Sequence, residues 1–524
     1  MTEPGRDSPV KRLPRPARAP DLGLTLDRRV ATPLYRQIAD GVRRGIADGA
    51  LPLGSRLPPE RTLAAELAVD RTTVVAAYRE LAAEGLVSAH VGRGTTVCAP
   101  RLSGRPTTVP VQPLSWEQSF TRTIDDDPVL AELASLATRP DVISFAAGIP
   151  APEHYPTADI RQLLDEALGD EGKGLLQYCP VEGFAPLRAA IATRMTARGA
   201  AVRPEQVLVC SGSQQGLYLL ARALLEPGEM VGVEAPTYYG ALQVFRAVGA
   251  RIVTIPADRD GPDPDRLDAL LSRRPIKLLY LLPTFQNPTG ATLSLERRQR
   301  ILAVSRRHQI PVVEDDPYGE LRYDGTPLPT LAQLDPGSGS VVYLSTFSKA
   351  LFPGFRLGWI MAPPAVIARL AWMKGLVDLD SNPLAQWAVA SYLERGLLDR
   401  HLDRVRQVYP QRRDALVTAL AREAGHHLTW DLPEGGFYLW ARLAGGVRAR
   451  EVLAEALAAG VAFVPGDLYH ADGGGRDAMR LAFSGLPPDV LDEGARRLAG
   501  AIRTVVERRA SARTGLSPIS TRIV

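Results

Sequence analysis

The segment Ser345-Thr346-Phe347-Ser348-Lys349, followed by Gly354-Phe355-Arg356-Leu357-Gly358, brings an amine, three hydroxyls and a guanidinium into one short stretch. Lys349 stands three places after Thr346 and seven before Arg356, a spacing suited to an amine that forms a Schiff base beside a bound phosphate. Only Lys11, Lys173, Lys277, Lys349 and Lys374 are lysines among 62 basic residues, so few other amines compete for that part. The pattern points to pyridoxal 5'-phosphate.

Other segments carry matching chemistry. Ser211-Gly212-Ser213-Gln214-Gln215-Gly216 precedes the apolar run Leu217-Tyr218-Leu219-Leu220. Small residues at a helix start bare backbone N–H groups to an anion, so this loop is a natural phosphate cup. Tyr238, in Pro236-Thr237-Tyr238-Tyr239-Gly240, offers a ring to stack on a pyridine face. Asn287 in Asn287-Pro288-Thr289-Gly290 can hydrogen-bond a phenolic oxygen, and Tyr318 can supply a second bond to it. Asp315 in Glu314-Asp315-Asp316-Pro317 can pair with a ring nitrogen. A carboxylate that keeps this nitrogen protonated makes the ring an electron sink for a carbanion at a substrate α-carbon. Arg356 and Thr346 complete the phosphate contacts, the arginine through a planar fork that binds two oxygens at once. Arg480 in Met479-Arg480-Leu481 can hold a substrate carboxylate bidentately, and Gly148 in Ala146-Ala147-Gly148-Ile149-Pro150 belongs to a backbone-exposing loop suited to close that pocket. Tyr178 lies in the irregular patch Gln177-Tyr178-Cys179-Pro180 and discloses no local role.

These residues need a scaffold, and the sequence supplies one. Short β-rich runs at 207–209, 230–233, 251–255, 278–282, 312–313 and 341–344 alternate with longer helical stretches. That alternation predicts a mostly parallel α/β sheet with helices on both faces, which binds ligands beyond the carboxyl ends of its strands. The chemical motifs fall there.

At 524 residues with 45% hydrophobic content, the chain is long enough for at least two domains with a large core. Three cysteines without metal-ligand spacing exclude a disulfide framework and a zinc site, and no metal is expected. No run approaches the roughly 20 apolar residues of a membrane span, so a soluble, cytoplasmic protein is expected. The net charge of +4 is unevenly placed. Residues 1–100 hold 15 Lys/Arg and 11 Asp/Glu, leaving 47 of each sign beyond. A basic first module favours a partner with phosphates.

That module has its own pattern. Leu34, Ile38, Val42 and Ile46 recur every four residues, Leu63 and Leu67 mark a second helix after Pro58-Pro59-Glu60, and Val74, Tyr78 and Leu81 mark a third. Leu86-Val87 and Thr95-Thr96-Val97 then flank a basic hairpin tip, Gly92-Arg93-Gly94. Arg71, Thr72 and Thr73 in the first turn of the third helix suit base edges and phosphates of a major groove, flanked by Arg61 and Arg93. Gly54-Ser55-Arg56-Leu57-Pro58-Pro59-Glu60-Arg61, the stretch from Val69 to Tyr78, and Glu84-Gly85-Leu86 resemble the GntR-type winged helix. The expected organisation is a disordered basic leader at 1–29, a winged helix DNA-binding domain at 30–98, a Pro-rich linker at 99–114, a large domain at 115–508 and a flexible tail at 509–524.

The motifs of the large domain resemble the fold-type I, pyridoxal-phosphate-dependent aminotransferases. The resemblance implies that Lys349 is the Schiff-base lysine, Asp315 the pyridine-nitrogen partner and Tyr238 the stacking ring. It places Asn287 and Tyr318 at the ring oxygen, Ser213, Gln214, Thr346, Ser348 and Arg356 near the phosphate, and Arg480 at the carboxylate. It also implies a homodimer, in which Tyr178 reaches the phosphate of the neighbouring subunit. Together the halves resemble the MocR/GabR group of transcription regulators, which implies double-stranded DNA and an amino acid or amine effector as partners. Gln286-Asn287-Pro288-Thr289-Gly290 and Asp315-Asp316-Pro317-Tyr318-Gly319 look closer to working aminoadipate/kynurenine-type aminotransferases than to many regulators. Transamination is therefore the alternative function.

Overall fold

A computed structural model describes residues 22–90, 94–98, 116, 141–170, 172–258 and 260–514. The chain divides into two compact units, Met1–Ser119 and Phe120–Val524.

In the first unit, helix α1 (Leu34–Ala47) is followed by α2 (Glu60–Glu66), α3 (Arg71–Ala83) and an antiparallel hairpin of β1 (Val87–His90) and β2 (Gly94–Val97). The four-residue spacing read in the sequence buries Ile38 and Val42 of α1 against Leu63, Val74, Tyr78 and Leu81. The Tyr78 hydroxyl donates to the Pro58 carbonyl at 2.9 Å, tying α3 to the chain entering α2. Arg43 on α1 reaches Glu80 of α3 and Glu84 at its C-terminal cap at 3.0 and 2.7 Å. Helix α3 starts at Asp70, whose carboxylate accepts from the Thr72 N–H at 2.7 Å. Order begins earlier than the expected leader allows. Leu22, Leu24 and Leu26 pack on this core, through a period-two apolar alternation short enough to be lost in a basic, Pro-rich context.

The second unit contains a seven-stranded sheet. Its strands are β3 (Val207–Cys210), β4 (Met230–Val233), β5 (Arg251–Thr254), β6 (Ile276–Leu281), β7 (Val312–Asp315), β8 (Val341–Thr346) and β9 (Gly358–Met361). They lie in the order β3-β9-β8-β7-β6-β4-β5. All pairs are parallel except β8–β9 and β9–β3. Both faces are buried, and side chains alternate between them. Leu208, Tyr280 and Val313 join one core, while Val207, Val209, Leu279, Leu281 and Val312 join cores on the other side. Strand β9 is absent from the sequence expectation: it follows β8 with no long helix between and runs antiparallel to both neighbours, outside the strand–helix alternation.

A smaller four-stranded sheet has the order β10 (Leu428–Trp430), β11 (Tyr438–Leu443), β13 (Ala478–Ala482), β12 (Val464–Pro465). Long helices at Leu397–Ala424 and Pro488–Thr514 pack with it in the largest core. The last helix runs past 508, where the body was expected to end. The expected linker 99–114, residues 1–21 of the leader and residues 515–524 of the tail lie outside the described residues. Among the described residues, no helix is long and apolar enough to cross a membrane.

Candidate functional site

A cavity of 370 Å³ lies at the carboxyl ends of the central strands. It is lined by twelve of the residues singled out in the sequence: Gly148, Ser213, Gln214, Tyr238, Asn287, Asp315, Tyr318, Thr346, Ser348, Lys349, Arg356 and Arg480. The sheet explains this convergence. Asp315 ends β7, Thr346 ends β8, and the loops after β3, β4 and β6 deliver Ser213, Tyr238 and Asn287.

One end of the cavity has donors that could hold an anion. Helix α4 (Ser213–Leu224) begins at Gly212, φ +88°, with no side chain capping its first N–H groups. A Cβ at Gly212 would stand 2.6 Å from Arg356 Nη2, so the guanidinium lies directly against this turn. Arg356 Nη1 donates to Ser348 Oγ at 3.3 Å. Thr346 Oγ1 accepts from the Ser348 N–H at 3.1 Å and donates to the Leu357 carbonyl at 2.9 Å. A Cβ at Gly358 would fall 2.6 Å from the Ser213 nitrogen and 2.8 Å from the Ser345 carbonyl oxygen, so only glycine lets β9 pass beneath the cradle.

The middle of the cavity suits a flat, protonated ring. Asp315 Oδ2 accepts from the Tyr280 hydroxyl at 2.6 Å, whereas Oδ1 is buried without a partner. Burial pushes the Asp315 carboxyl up to about 7, with Asp316 adding to the rise and the Tyr280 bond opposing it. A ring N–H⁺ at Oδ1 would satisfy the orphan atom and reverse that shift. The Tyr238 hydroxyl donates to Gln214 Oε1 at 3.1 Å and Gln214 Nε2 donates to the Gly240 carbonyl at 3.2 Å, which together fix the tyrosine ring on the cavity wall.

At the reactive end, Lys349 Nζ donates to the Gly148 carbonyl at 2.6 Å. Burial lowers the pKa of this amine, helped by the positive charges of Arg480 and Arg356 and opposed by Tyr438. The neutral, nucleophilic form is thereby favoured. Arg480 comes from the second sheet. Its Nη1 donates to Asn287 Oδ1 at 3.0 Å and its Nη2 to the Ala146 carbonyl at 2.6 Å, while Nε is buried without a partner. The Asn287 amide N–H₂ group remains a donor for a ligand oxygen.

Tyr178 is not brought to this cavity within one chain. It is 79% exposed, beside Leu176, and the adjoining segment carries exposed Leu376, Val377 and Leu379. The Cys179 N–H donates to Asp380 at 2.5 Å and links the two segments. Sequence reasoning missed Tyr438 and Tyr239, which also line the cavity. The signal for Tyr239 was its place beside Tyr238. Tyr438 sits in the apolar run Phe437-Tyr438-Leu439-Trp440, which reads as a buried strand and nothing more.

In the first unit, Arg61, Arg71 and Thr72 are exposed and Thr73 is half-buried. Arg71 is paired with Glu60 at 3.0 Å, and the Thr72 hydroxyl donates to Asp70 at 2.5 Å. Arg93 lies outside the described residues.

Residues 140–498 match the model for aminotransferase class I and II, and residues 34–97 match that for bacterial regulatory proteins of the gntR family. The chain is 40% identical over 397 residues to a 2-aminoadipate transaminase of Thermus thermophilus, covering 75% of this chain and 98% of that protein. It is 32% identical over 496 residues to a probable rhizopine catabolism regulatory protein, MocR, of Rhizobium meliloti, covering 91% and 95% of the two. The crystal structure of LysN, the α-aminoadipate aminotransferase of Thermus thermophilus complexed with N-(5'-phosphopyridoxyl)-L-leucine, matches with a TM-score of 0.71 at 38% identity, over 75% of this chain and 100% of that one. The chain belongs to the aminotransferase class I and II family, whose fold-type I members depend on pyridoxal phosphate, and joins that body to a GntR winged helix as the MocR-type regulators do.

Proposed function

We propose that this protein is a DNA-binding transcription regulator whose aminotransferase-like unit holds pyridoxal 5'-phosphate and takes an amino acid or amine as effector. The observation that carries the reading is the presence, in one chain, of a gntR-family unit and a cavity that gathers Lys349, Asp315, Asn287, Arg356 and Arg480.

In this reading Ser213, Gln214, Thr346, Ser348 and Arg356 hold the phosphate, Asp315 the ring nitrogen, Asn287 and Tyr318 the ring oxygen, and Tyr238 the ring face. When bound, the cofactor supplies an aldehyde carbon for amines and an electron sink for the α-carbon. Lys349 is its covalent anchor, Arg480 binds the effector carboxylate, and the Gly148 loop closes over it. Arg61, Arg71, Thr72, Thr73 and Arg93 face the DNA. Tyr178 and the exposed apolar residues around it support a homodimer, with Tyr178 serving the partner's cavity. The site of action is the cytoplasm, where the DNA lies. An effector shifts DNA binding by no more than its differential affinity for the two states of the protein.

The test is DNA binding by the full chain, on DNA upstream of its own and neighbouring genes, with and without pyridoxal phosphate and candidate amines at stated salt. Effector-dependent retention of a specific fragment supports the reading; absence of specific binding to any fragment overturns it. The completeness of the lysine, aspartate, asparagine and arginine set favours a second reading, an active aminotransferase of the 2-aminoadipate or kynurenine type in which Lys349 also moves the α-proton. Multiple turnovers of keto acid from a panel of amino acids would establish it, whereas a spectral change without turnover identifies a sensor.

A further inference from the structure

Tyr438 lines the cavity from β11, and its hydroxyl oxygen lies 2.8 Å from that of Tyr318. Both phenols are buried. A buried hydroxyl costs stability unless it is hydrogen-bonded, and the bond to Tyr318 is the one that Tyr438 makes. Its other neighbours come from several elements. The Arg480 guanidinium on β13 stands 4.2 Å from the Tyr438 ring centroid, and Lys349, Tyr238 and Tyr469 face it as well. A Cβ at Gly148 would fall 2.0 Å from the Tyr438 oxygen, so this hydroxyl fills the space that the glycine leaves open. The Gly148 carbonyl in turn holds Lys349 Nζ, which places the phenol and the amine at one corner of the cavity.

Two hydroxyls that face each other share one hydrogen between them, and the second hydrogen must go elsewhere. If Tyr438 donates, the Tyr318 proton is left to point at a ligand. The Arg480 guanidinium over the Tyr438 ring attracts the lone pairs of the Tyr438 oxygen and repels its proton, which turns the O–H away from that charge and toward Tyr318 and makes Tyr438 the donor of the pair; although burial opposes ionisation of this phenol, the same guanidinium favours it.

We propose that Tyr438 is a positioning residue: by donating to the Tyr318 oxygen it directs the Tyr318 proton toward the oxygen of the ligand held by Asn287, and so sets the pH at which the group attached to Lys349 changes protonation. The proposal rests on the cofactor reading above. A stronger donor at the ring oxygen favours the form with negative charge there, so Tyr438 lowers the midpoint of the titration.

The experiment is a visible-absorbance pH titration of the full-length protein loaded with pyridoxal phosphate, for wild type, Tyr438→Phe, Tyr318→Phe and the double variant. Tyr438→Phe keeps the ring against Arg480 and is expected to raise the midpoint by about 0.5 to 1 pH unit. In the Tyr318→Phe background the same change should add nothing. If Tyr438→Phe fails to fold, 3-fluorotyrosine at position 438, a stronger acid, must move the midpoint the other way. A midpoint unmoved by either change, or a shift that persists undiminished without the Tyr318 hydroxyl, overturns the proposal. A wild-type protein that shows no cofactor band at all overturns the cofactor reading itself, and this proposal with it.

Discussion

Asp315 offers a quantitative check on the cofactor reading, because its carboxyl has one satisfied and one orphaned oxygen. Burial raises its pKa from the ordinary carboxylate range to about 7. A group with a raised folded pKa binds protons more tightly in the folded state, so its contribution to stability is present below about pH 4 and is lost as pH rises to about 7. At up to ~1.36 kcal/mol per unit of pH, the loss across that window is about 4 kcal/mol, of which about 2 kcal/mol falls between pH 5 and pH 7. Asp315→Asn keeps the shape, the Tyr280 contact and the neighbours, but cannot ionise. The cofactor-free wild type should therefore lose about 2 kcal/mol more than the cofactor-free variant between pH 5 and pH 7, measured by urea unfolding of the large unit through tryptophan fluorescence. Glu234 and Glu314 are also pushed up to about 7 by burial, but they titrate in both proteins and cancel in the comparison. Adding pyridoxal phosphate should abolish the excess loss in wild type, because a protonated ring nitrogen pairs with the ionised carboxylate. Parallel pH profiles for the two cofactor-free proteins would refute the burial argument. An excess loss that persists with cofactor bound would refute Asp315 as the partner of the ring nitrogen.

Three further outcomes follow from named contacts. Arg480→Lys replaces a fork by a point charge and should weaken amino acid binding by about 10- to 100-fold while the cofactor band remains, read by absorbance titration; an unchanged affinity would place the carboxylate elsewhere. Gly358→Ala forces a Cβ to within 2.6 Å of the Ser213 nitrogen and should cost more than about 2 kcal/mol of stability and weaken phosphate retention, read by urea unfolding and equilibrium dialysis. If that variant melts like wild type, the approach of β9 to the cradle is looser than described. Arg71→Ala should lower the slope of log affinity against log salt by about one in DNA binding assays; an unaltered slope would mean that Arg71 stays with Glu60 and touches no phosphate.

Much of the site was legible because its residues sit within or just after apolar strand runs, where nothing in the packing calls for Asn, Asp or Lys. Asp315 is the clearest case: four buried residues, Val312 to Asp315, form β7, yet the last two are acids. The recurring apolar spacing of the first unit was equally plain, since Ile38, Val42, Val74 and Tyr78 are buried at helical intervals. What could not be read depends on register between distant strands. Tyr438 enters the cavity because β11 pairs with β13 so that Tyr438 lies opposite Ala482 and Trp440 opposite Arg480. A slip of one residue would turn Tyr438 away from the site, and no local pattern encodes the difference.

The same register carries the link between ligand and body. Arg480 belongs to the smaller sheet and Asn287 to the loop after β6 of the larger one, so their 3.0 Å hydrogen bond joins the two sheets across the cavity. The Ala146 carbonyl takes the other terminal nitrogen, and Nε has no partner. In the proposed reading, a carboxylate at the guanidinium can take the Nε–H, the second hydrogens of the terminal nitrogens, or the hydrogen now given to the Ala146 carbonyl. Taking that last hydrogen would release the loop that contains Gly148, whose carbonyl holds Lys349. One ligand group would then act on the amine, the closing loop and the contact between the sheets. A sensor needs such a ligand-dependent rearrangement to bias anything attached to it, and an enzyme uses one to close over its substrate, so the same contacts serve either reading.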